Sequence, residues 1–159
     1  MTELSPRYES LAPLRIAGLA EAYSTKDMDR VGAQIPAQWQ RLAPRLGRIP
    51  GQVGTVTYGV CFGMSRDGGF RYLSGVEIGD LEPLPDDLAH IELPAHDYAV
   101  FEHVGPVPEI RRTIDAAWRA WLPRSGREIA DNFHLERYGE KFDPARGEGD
   151  IEIWLPIKG

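Results

Sequence analysis

The chain has 159 residues, is 42% hydrophobic and carries a formal net charge of -6 at pH 7. This length and composition support one core, so the sequence predicts a single domain over residues 1–159. Because 24 acidic residues outnumber 18 basic ones, we expect no surface that attracts a phosphate backbone and no direct nucleic-acid partner. The opening residues do not form a secretion signal, and no apolar run reaches the roughly 18 residues that span a membrane, so a cytoplasmic protein without membrane association is expected.

The first half of the chain predicts an extended segment, a helix and a hairpin. Alternating apolar residues indicate a half-buried strand within residues 7–23. Over residues 27–46 the apolar positions recur at three- and four-residue steps, which predicts a helix that packs one face on a sheet. Two strand-like runs, 56–64 and 70–78, flank a glycine-rich turn and predict a hairpin.

The second half follows the same order. Strands are predicted at 90–93 and 97–104, a helix at 109–122 closed by Pro123, and two last strands at 133–139 and 151–157.

Residues 14–78 and 97–157 therefore each predict strand, helix, strand, strand. We predict an α+β fold in which two pseudo-symmetric β-α-β-β units form one antiparallel sheet, with the helices on one face. The opposite, concave surface between the halves is the expected place for a central ligand cleft.

The last two strands combine carboxylates with aromatic rings. The strand period of two places His134, Glu136 and Tyr138 on one face, and Glu152 with Trp154 on one face of the next strand. A carboxylate among aromatic rings is costly unless it is neutralised, and a cationic ligand that stacks on the rings neutralises it. The alternative is that both glutamates simply face water.

Further candidate ligand-binding residues are aromatic. Tyr58 lies in a first-half strand, and its phenol is able to donate a hydrogen bond to a ligand. Trp121 lies at the end of the second predicted helix, and Trp39 and Phe62 complete the set. The alternative for most of these rings is a place in the core, which is the expected role of Trp118.

Metal and cofactor motifs are not evident. The four histidines form no His-x-x-x-His pair, and there is neither a Gly-x-Ser-x-Gly elbow nor a glycine-rich phosphate loop. We therefore expect no metal, no cofactor and no catalytic triad.

Four segments resemble the GyrI-like family, the effector-binding domain of AraC- and BmrR-type regulators. They are Pro94-Ala-His-Asp-Tyr-Ala-Val-Phe-Glu-His-Val-Gly-Pro, Trp121-Leu-Pro-Arg-Ser-Gly, Phe133-His-Leu-Glu-Arg-Tyr and Ile151-Glu-Ile-Trp-Leu-Pro-Ile-Lys. The first half is similar only in its order of elements. The resemblance implies a pseudo-twofold domain in which Glu136 points into the cleft toward cationic or polar ligands and Trp154 forms a stacking wall. Residues 1–13 are too short for a helix-turn-helix segment, so a stand-alone member is expected.

Three functions are consistent with this resemblance. The first is a non-enzymatic binding module for hydrophobic, cationic aromatic molecules, with Glu136 as the counter-charge and Trp154, Tyr58 and Trp121 as walls. The second is a hydrolase of strained, cyclopropane-type genotoxins in which Glu136 is the general acid or base. The third is an inhibitory protein-interaction module whose partner is a regulator or gyrase. A monomer or weak dimer is expected.

Overall fold

Eight antiparallel strands form one sheet in the computed structural model of the chain, which describes residues 5–80 and 82–159. The strands are β1 (Arg7–Leu11), β2 (Leu14–Ser24), β3 (Gln52–Phe62), β4 (Gly69–Ile78), β5 (Ala89–Leu93), β6 (His96–His103), β7 (Phe133–Tyr138) and β8 (Ile151–Ile157). The single extended segment predicted for residues 7–23 is thus two strands. Pro13 lies between them and has no backbone N–H to donate to a strand ladder.

The order of the strands, β1-β6-β8-β7-β3-β4-β2-β5, shows the pseudo-symmetry of the two halves. Exchange of the halves maps β2, β3 and β4 onto β6, β7 and β8. The β3–β7 pair joins the halves at the centre, where Val60 lies opposite Leu135. The predicted fold class, two β-α-β-β units in one antiparallel sheet, is therefore confirmed.

The first helix spans Met28–Leu42 and continues as a 3-10 turn, Ala43–Arg45. Its first turn is capped by the Asp27 carboxylate, which accepts a hydrogen bond of 3.2 Å from the backbone N–H of Arg30. Pro36 lies inside the helix. The apolar side chains predicted to face the sheet do so as far as Leu42, with Val31 and Leu42 buried. Leu46, the last of the predicted positions, lies beyond the helix and is exposed.

The second helix occupies residues 107–125 and changes pitch along its length. It begins as a 3-10 turn (Val107–Glu109), becomes α-helical (Ile110–Asp115), widens to a π-helical turn (Ala116–Trp121) and ends as Leu122–Ser125. The prediction that Pro123 closes this helix was wrong. The helix ends at Gly126, which has a φ of 75°, and the wider π turn before Pro123 leaves room for its ring.

The sheet buries apolar side chains on both faces. Both helices pack on one face, where the second helix covers Phe101, Ile153 and Leu155. The other face carries a separate apolar cluster that includes Tyr58, Trp154 and other sheet residues but no helix residue. No helix in the described part of the chain is long and apolar enough to cross a membrane.

A polar side chain anchors the first helix to the sheet. Gln38 is fully buried and donates from Nε2 to the backbone carbonyl of Leu19 at 2.8 Å and to that of Tyr72 at 3.1 Å. The side-chain carbonyl of Gln38 accepts a hydrogen bond of 2.6 Å from the Tyr23 hydroxyl. These bonds fix the helix against β2 and β4.

Candidate functional site

Glu136 lies at the centre of β7 and points toward the helices. Its side chain is buried, with the residue 7% exposed. In the sheet it lies opposite Gly59 of β3 and Ile153 of β8. A Cβ atom at Gly59 would lie 2.6 Å from the Glu136 carboxylate and 2.1 Å from the Tyr72 hydroxyl, so only glycine leaves room for these two groups.

Two tyrosines hold the carboxylate. The hydroxyls of Tyr72 and Tyr138 donate to Oε1 of Glu136 at 2.6 and 2.8 Å, and the Trp39 indole donates to the Tyr72 hydroxyl at 3.0 Å. Burial raises the pKa of both tyrosines, and the nearby charge of Glu136 adds to the rise, so both hydroxyls stay protonated and donate. The Tyr138 ring meets Trp39 and Phe142 edge to face, with centroids 5.4 and 5.0 Å apart.

No ion pair neutralises Glu136 in residues 5–80 and 82–159. Burial raises the pKa of its carboxyl group, while the hydrogen bonds from Tyr72 and Tyr138 oppose the rise. Oε2 has no hydrogen bond in the described part of the chain. Every fully buried polar side-chain atom there has a hydrogen-bond partner. Oε2 has none, so it is not fully buried and reaches solvent.

Glu152 shows the opposite arrangement on the other face of the sheet. Its carboxylate lies 2.7 Å from Nη1 of Arg7 and 3.6 Å from Nη1 of Arg137. The Trp154 indole also donates to it at 3.2 Å. Glu152 is therefore compensated by two cations, whereas Glu136 is compensated by neutral hydroxyls alone.

His134 continues the Glu136 face along β7. Its Nδ1 accepts a hydrogen bond of 3.1 Å from the indole of Trp118, a residue of the second helix. Cys61 of β3 lies opposite His134 in the sheet, and burial raises the pKa of its thiol to about 12. Above this region Nη1 of Arg111 lies 3.4 Å from Sδ of Met28 and links the two helices.

The structure divides the predicted ligand-binding residues among three places. Glu136, Tyr138 and Trp39 lie together beneath the helices. Tyr58 and Trp154 belong to the apolar cluster on the opposite face, against which Phe62 packs. Trp121 packs in the core between the second helix and the sheet, where its ring centroid lies 5.1 Å from that of Phe101.

The division follows from strand register. Alternation along each strand was predicted correctly, but β7 and β8 pair so that Leu135, not Glu136, lies opposite Trp154. Residues opposite one another in a sheet point to the same side, so Glu136 and Trp154 point to opposite sides. The two residues therefore do not line one cleft.

Tyr72 was not among the predicted site residues. Alternation along β4 places it on the helix face with Ser74 and Val76, but only the pairing of β4 with β3, and of β3 with β7, brings it to Glu136. A lone tyrosine in an apolar strand gives no signal of that contact in the sequence.

Two surface cavities lie away from Glu136. One, of about 450 Å³, is bounded by the ends of β1, β6 and β8 and includes His96 and Lys158. The other, of about 350 Å³, is lined by Phe62, Phe133 and Asp131 among others. Neither cavity is lined by Glu136, Tyr72 or Tyr138.

A twofold-repeated α+β sheet with a tyrosine-bound carboxylate beneath its helices has the architecture of a small-molecule-binding domain. The family model of the GyrI-like small molecule binding domain matches residues 4–158, and the chain belongs to this family.

Curated relatives include transcriptional regulators. The chain is 28% identical over 169 residues to the transcriptional regulator BrlR of Pseudomonas aeruginosa, an alignment that covers 99% of this chain and 62% of BrlR. It is 34% identical over 80 residues to the probable transcriptional regulator YgiV of Escherichia coli K12, covering 46% of this chain and 50% of YgiV. The chain thus spans about half to two thirds of the length of these relatives.

Solved structures share the fold. SAV2435 bound to tetraphenylphosphonium has a TM-score of 0.77 and 22% identity, with 98% of this chain and 94% of that chain covered. EcmrR in a complex with DNA has a TM-score of 0.66 and 14% identity, with 99% of this chain and 59% of that chain covered.

Proposed function

We propose that this domain binds aromatic, lipophilic cations beneath its helices, with Glu136 as the counter-charge. The observation that carries the proposal is a buried carboxylate without a cationic partner among the described residues. Oε1 is held by two tyrosines, whereas Oε2 remains free to meet a ligand. Burial removes the carboxylate from water, and a cationic ligand compensates for the lost hydration more fully than a neutral ligand does. Aromatic groups on the cation also stack on the rings of the site.

The surrounding side chains suit such a ligand. Tyr138, whose hydroxyl donates to the carboxylate, is flanked by the rings of Trp39 and Phe142. Trp39 and Phe142 are only half-buried, so both are able to swing outward and stack on an incoming ring. The binding of tetraphenylphosphonium to SAV2435, a protein of the same fold, supports the choice of ligand class.

The test is calorimetric titration of tetraphenylphosphonium into wild type, Glu136→Gln and Glu102→Gln. The first variant removes the buried charge while keeping the shape of the side chain. The second removes an exposed charge from β6 and is the matched control. We expect Glu136→Gln to weaken binding about tenfold or more, which corresponds to about 1.4 kcal/mol, and Glu102→Gln to bind like wild type.

A neutral molecule of similar shape without a hydrogen-bond donor, triphenylmethane, completes the experiment. It should bind wild type and Glu136→Gln alike, because it gains nothing from the charge. Equal affinity of tetraphenylphosphonium for wild type and Glu136→Gln would refute the role of Glu136. No heat with either compound would refute the proposed binding site as a whole.

Hydrolysis of an electrophilic ligand is a second candidate function, because the raised pKa of Glu136 suits a general acid. Mass analysis of a cyclopropane-containing electrophile incubated with wild type and Glu136→Gln tests it. Product formed by wild type alone would support hydrolysis, and intact ligand in both samples would exclude it for that compound.

A further inference from the structure

His134 lies two residues before Glu136 on the same face of β7. At the rise of a β-strand, this places the two side chains about 7 Å apart along the strand. The His134 side chain is as deeply buried as the carboxylate, with the residue 5% exposed. Any molecule that extends along the strand from Glu136 therefore meets the imidazole next.

The hydrogen bond from Trp118 fixes the proton on this imidazole. An indole N–H is only a donor, so Nδ1 of His134, which receives it at 3.1 Å, must be unprotonated. The ring proton is therefore on Nε2. Burial lowers the pKa of His134 to about 4, with the charge of Arg111 acting in the same direction, so the ring is neutral at pH 7.

The Nε2–H group has no acceptor in the described part of the chain. Since every fully buried polar side-chain atom there has a hydrogen-bond partner, Nε2 reaches solvent, as Oε2 of Glu136 does. Arg111, whose charge acts on this imidazole, contacts Met28 and so links the two helices. The positive charge of Arg111 is paired with Asp115 at 3.7 Å.

We propose that His134 is a specificity-determining residue that donates a hydrogen bond from Nε2 to the ligand. The preferred ligands are then aromatic cations with a carbonyl, ether or ring-nitrogen acceptor about 7 Å from the positive charge. A protonated imidazole would repel a cation, whereas this neutral donor does not. The inference rests on the proposed function of the Glu136 site.

Two cations of one shape test the inference: tetraphenylphosphonium, which has no hydrogen-bond acceptor, and its derivative with one para-acetyl group. Both are titrated into wild type, His134→Phe, which removes the donor, and His134→Gln, which keeps a donor and an acceptor. In His134→Phe we expect the acetyl cation to lose about fivefold in affinity, the size of one hydrogen bond, and the parent cation to change less than twofold. His134→Gln should recover part of the loss.

A nitrogen-15 spectrum of the wild-type imidazoles keeps the test independent of how well the variants fold. Nε2 of His134 should carry the proton, and its resonance should shift with the acetyl cation but not with the parent cation. Equal losses for both cations in His134→Phe, or a proton on Nδ1, would overturn the role of His134 while leaving cation binding intact. Failure of both cations to bind wild type would instead overturn the proposed function and this inference with it.

Discussion

The Tyr72 hydroxyl donates to the Glu136 carboxylate at 2.6 Å while it accepts from the Trp39 indole at 3.0 Å. Three elements, β4, β7 and the first helix, thus meet in one chain of hydrogen bonds. The indole donor strengthens the hydroxyl as a donor, because hydrogen bonds in series polarise one another. These hydrogen bonds hold the Glu136 carboxylate in place where water is largely absent.

Tyr72→Phe removes both hydrogen bonds of the Tyr72 hydroxyl. The carboxylate loses one of the two donors that oppose its raised pKa, so the pKa of Glu136 should rise further. The Trp39 indole loses its acceptor, and we expect a loss of about 1–2 kcal/mol in unfolding free energy. A carbon-13 titration of glutamate side chains and a urea unfolding curve measure these effects. Tyr8→Phe, which alters an exposed ring, should change neither.

The affinity for tetraphenylphosphonium should depend on pH. Because burial raises the pKa of Glu136, the carboxyl group protonates on acidification before an exposed glutamate does. The protonated carboxyl group carries no charge, so affinity should level off above that pKa. Below it, affinity should fall by up to about tenfold per pH unit, toward the affinity of Glu136→Gln. Titrations at a series of pH values measure the profile, and Glu136→Gln should show a flat one. A profile in wild type as flat as that of the variant would contradict the assignment.

Gly59→Ala should disturb the site without removing a polar group. The added methyl would lie 2.1 Å from the Tyr72 hydroxyl and 2.6 Å from the Glu136 carboxylate, so these partners must separate. We expect lower stability, by about 1–3 kcal/mol as for other overpacked cores, and weaker cation binding. Gly32→Ala is the matched control, because nothing lies within 4 Å of its new methyl and it sits inside a helix. That variant should be as stable as wild type or up to about 1 kcal/mol more stable.

Gln38→Ala should detach the first helix from the sheet. The substitution leaves the Tyr23 hydroxyl and the Ser74 hydroxyl without their buried partner, which costs about 2–3 kcal/mol. Thermal and urea unfolding measure the loss. Gln40→Ala, on the exposed side of the same helix, should be nearly neutral. Because alanine has the higher helix propensity, a loss in Gln38→Ala no larger than that in Gln40→Ala would contradict the role of the buried hydrogen bonds.

Much of the fold follows from local patterns. The last strand was predicted at its observed bounds, Ile151–Ile157, because four aliphatic residues alternate there and all four are buried. The repeated order of elements, which also depends on local patterns, predicted the fold class correctly. Pro123 shows the limit of local rules, since a π turn two residues upstream lets the helix pass it.

The site was predictable only in part. The face that Glu136 shares with Tyr138 follows from the period of a single strand. The partners across the sheet do not, because register between β7, β8 and β3 is set by the packing of the whole sheet. Strand register therefore explains both why Tyr72 lies in the site and why Trp154 does not. Gln38 is a polar residue at a core-facing helical position, which is a weak sign of a buried partner.

The edges of the sheet bind its two halves to each other. β1 precedes the first unit but pairs with β6 of the second, and β5 precedes the second unit but pairs with β2 of the first. A cut between β4 and β5 would therefore leave each fragment holding a strand whose partner is on the other fragment. Each β-α-β-β unit therefore carries at its outer edge a strand contributed by the other half of the chain. Because of this exchange of edge strands, loss of β1 would expose the edge of the second unit, and loss of β5 would expose the edge of the first.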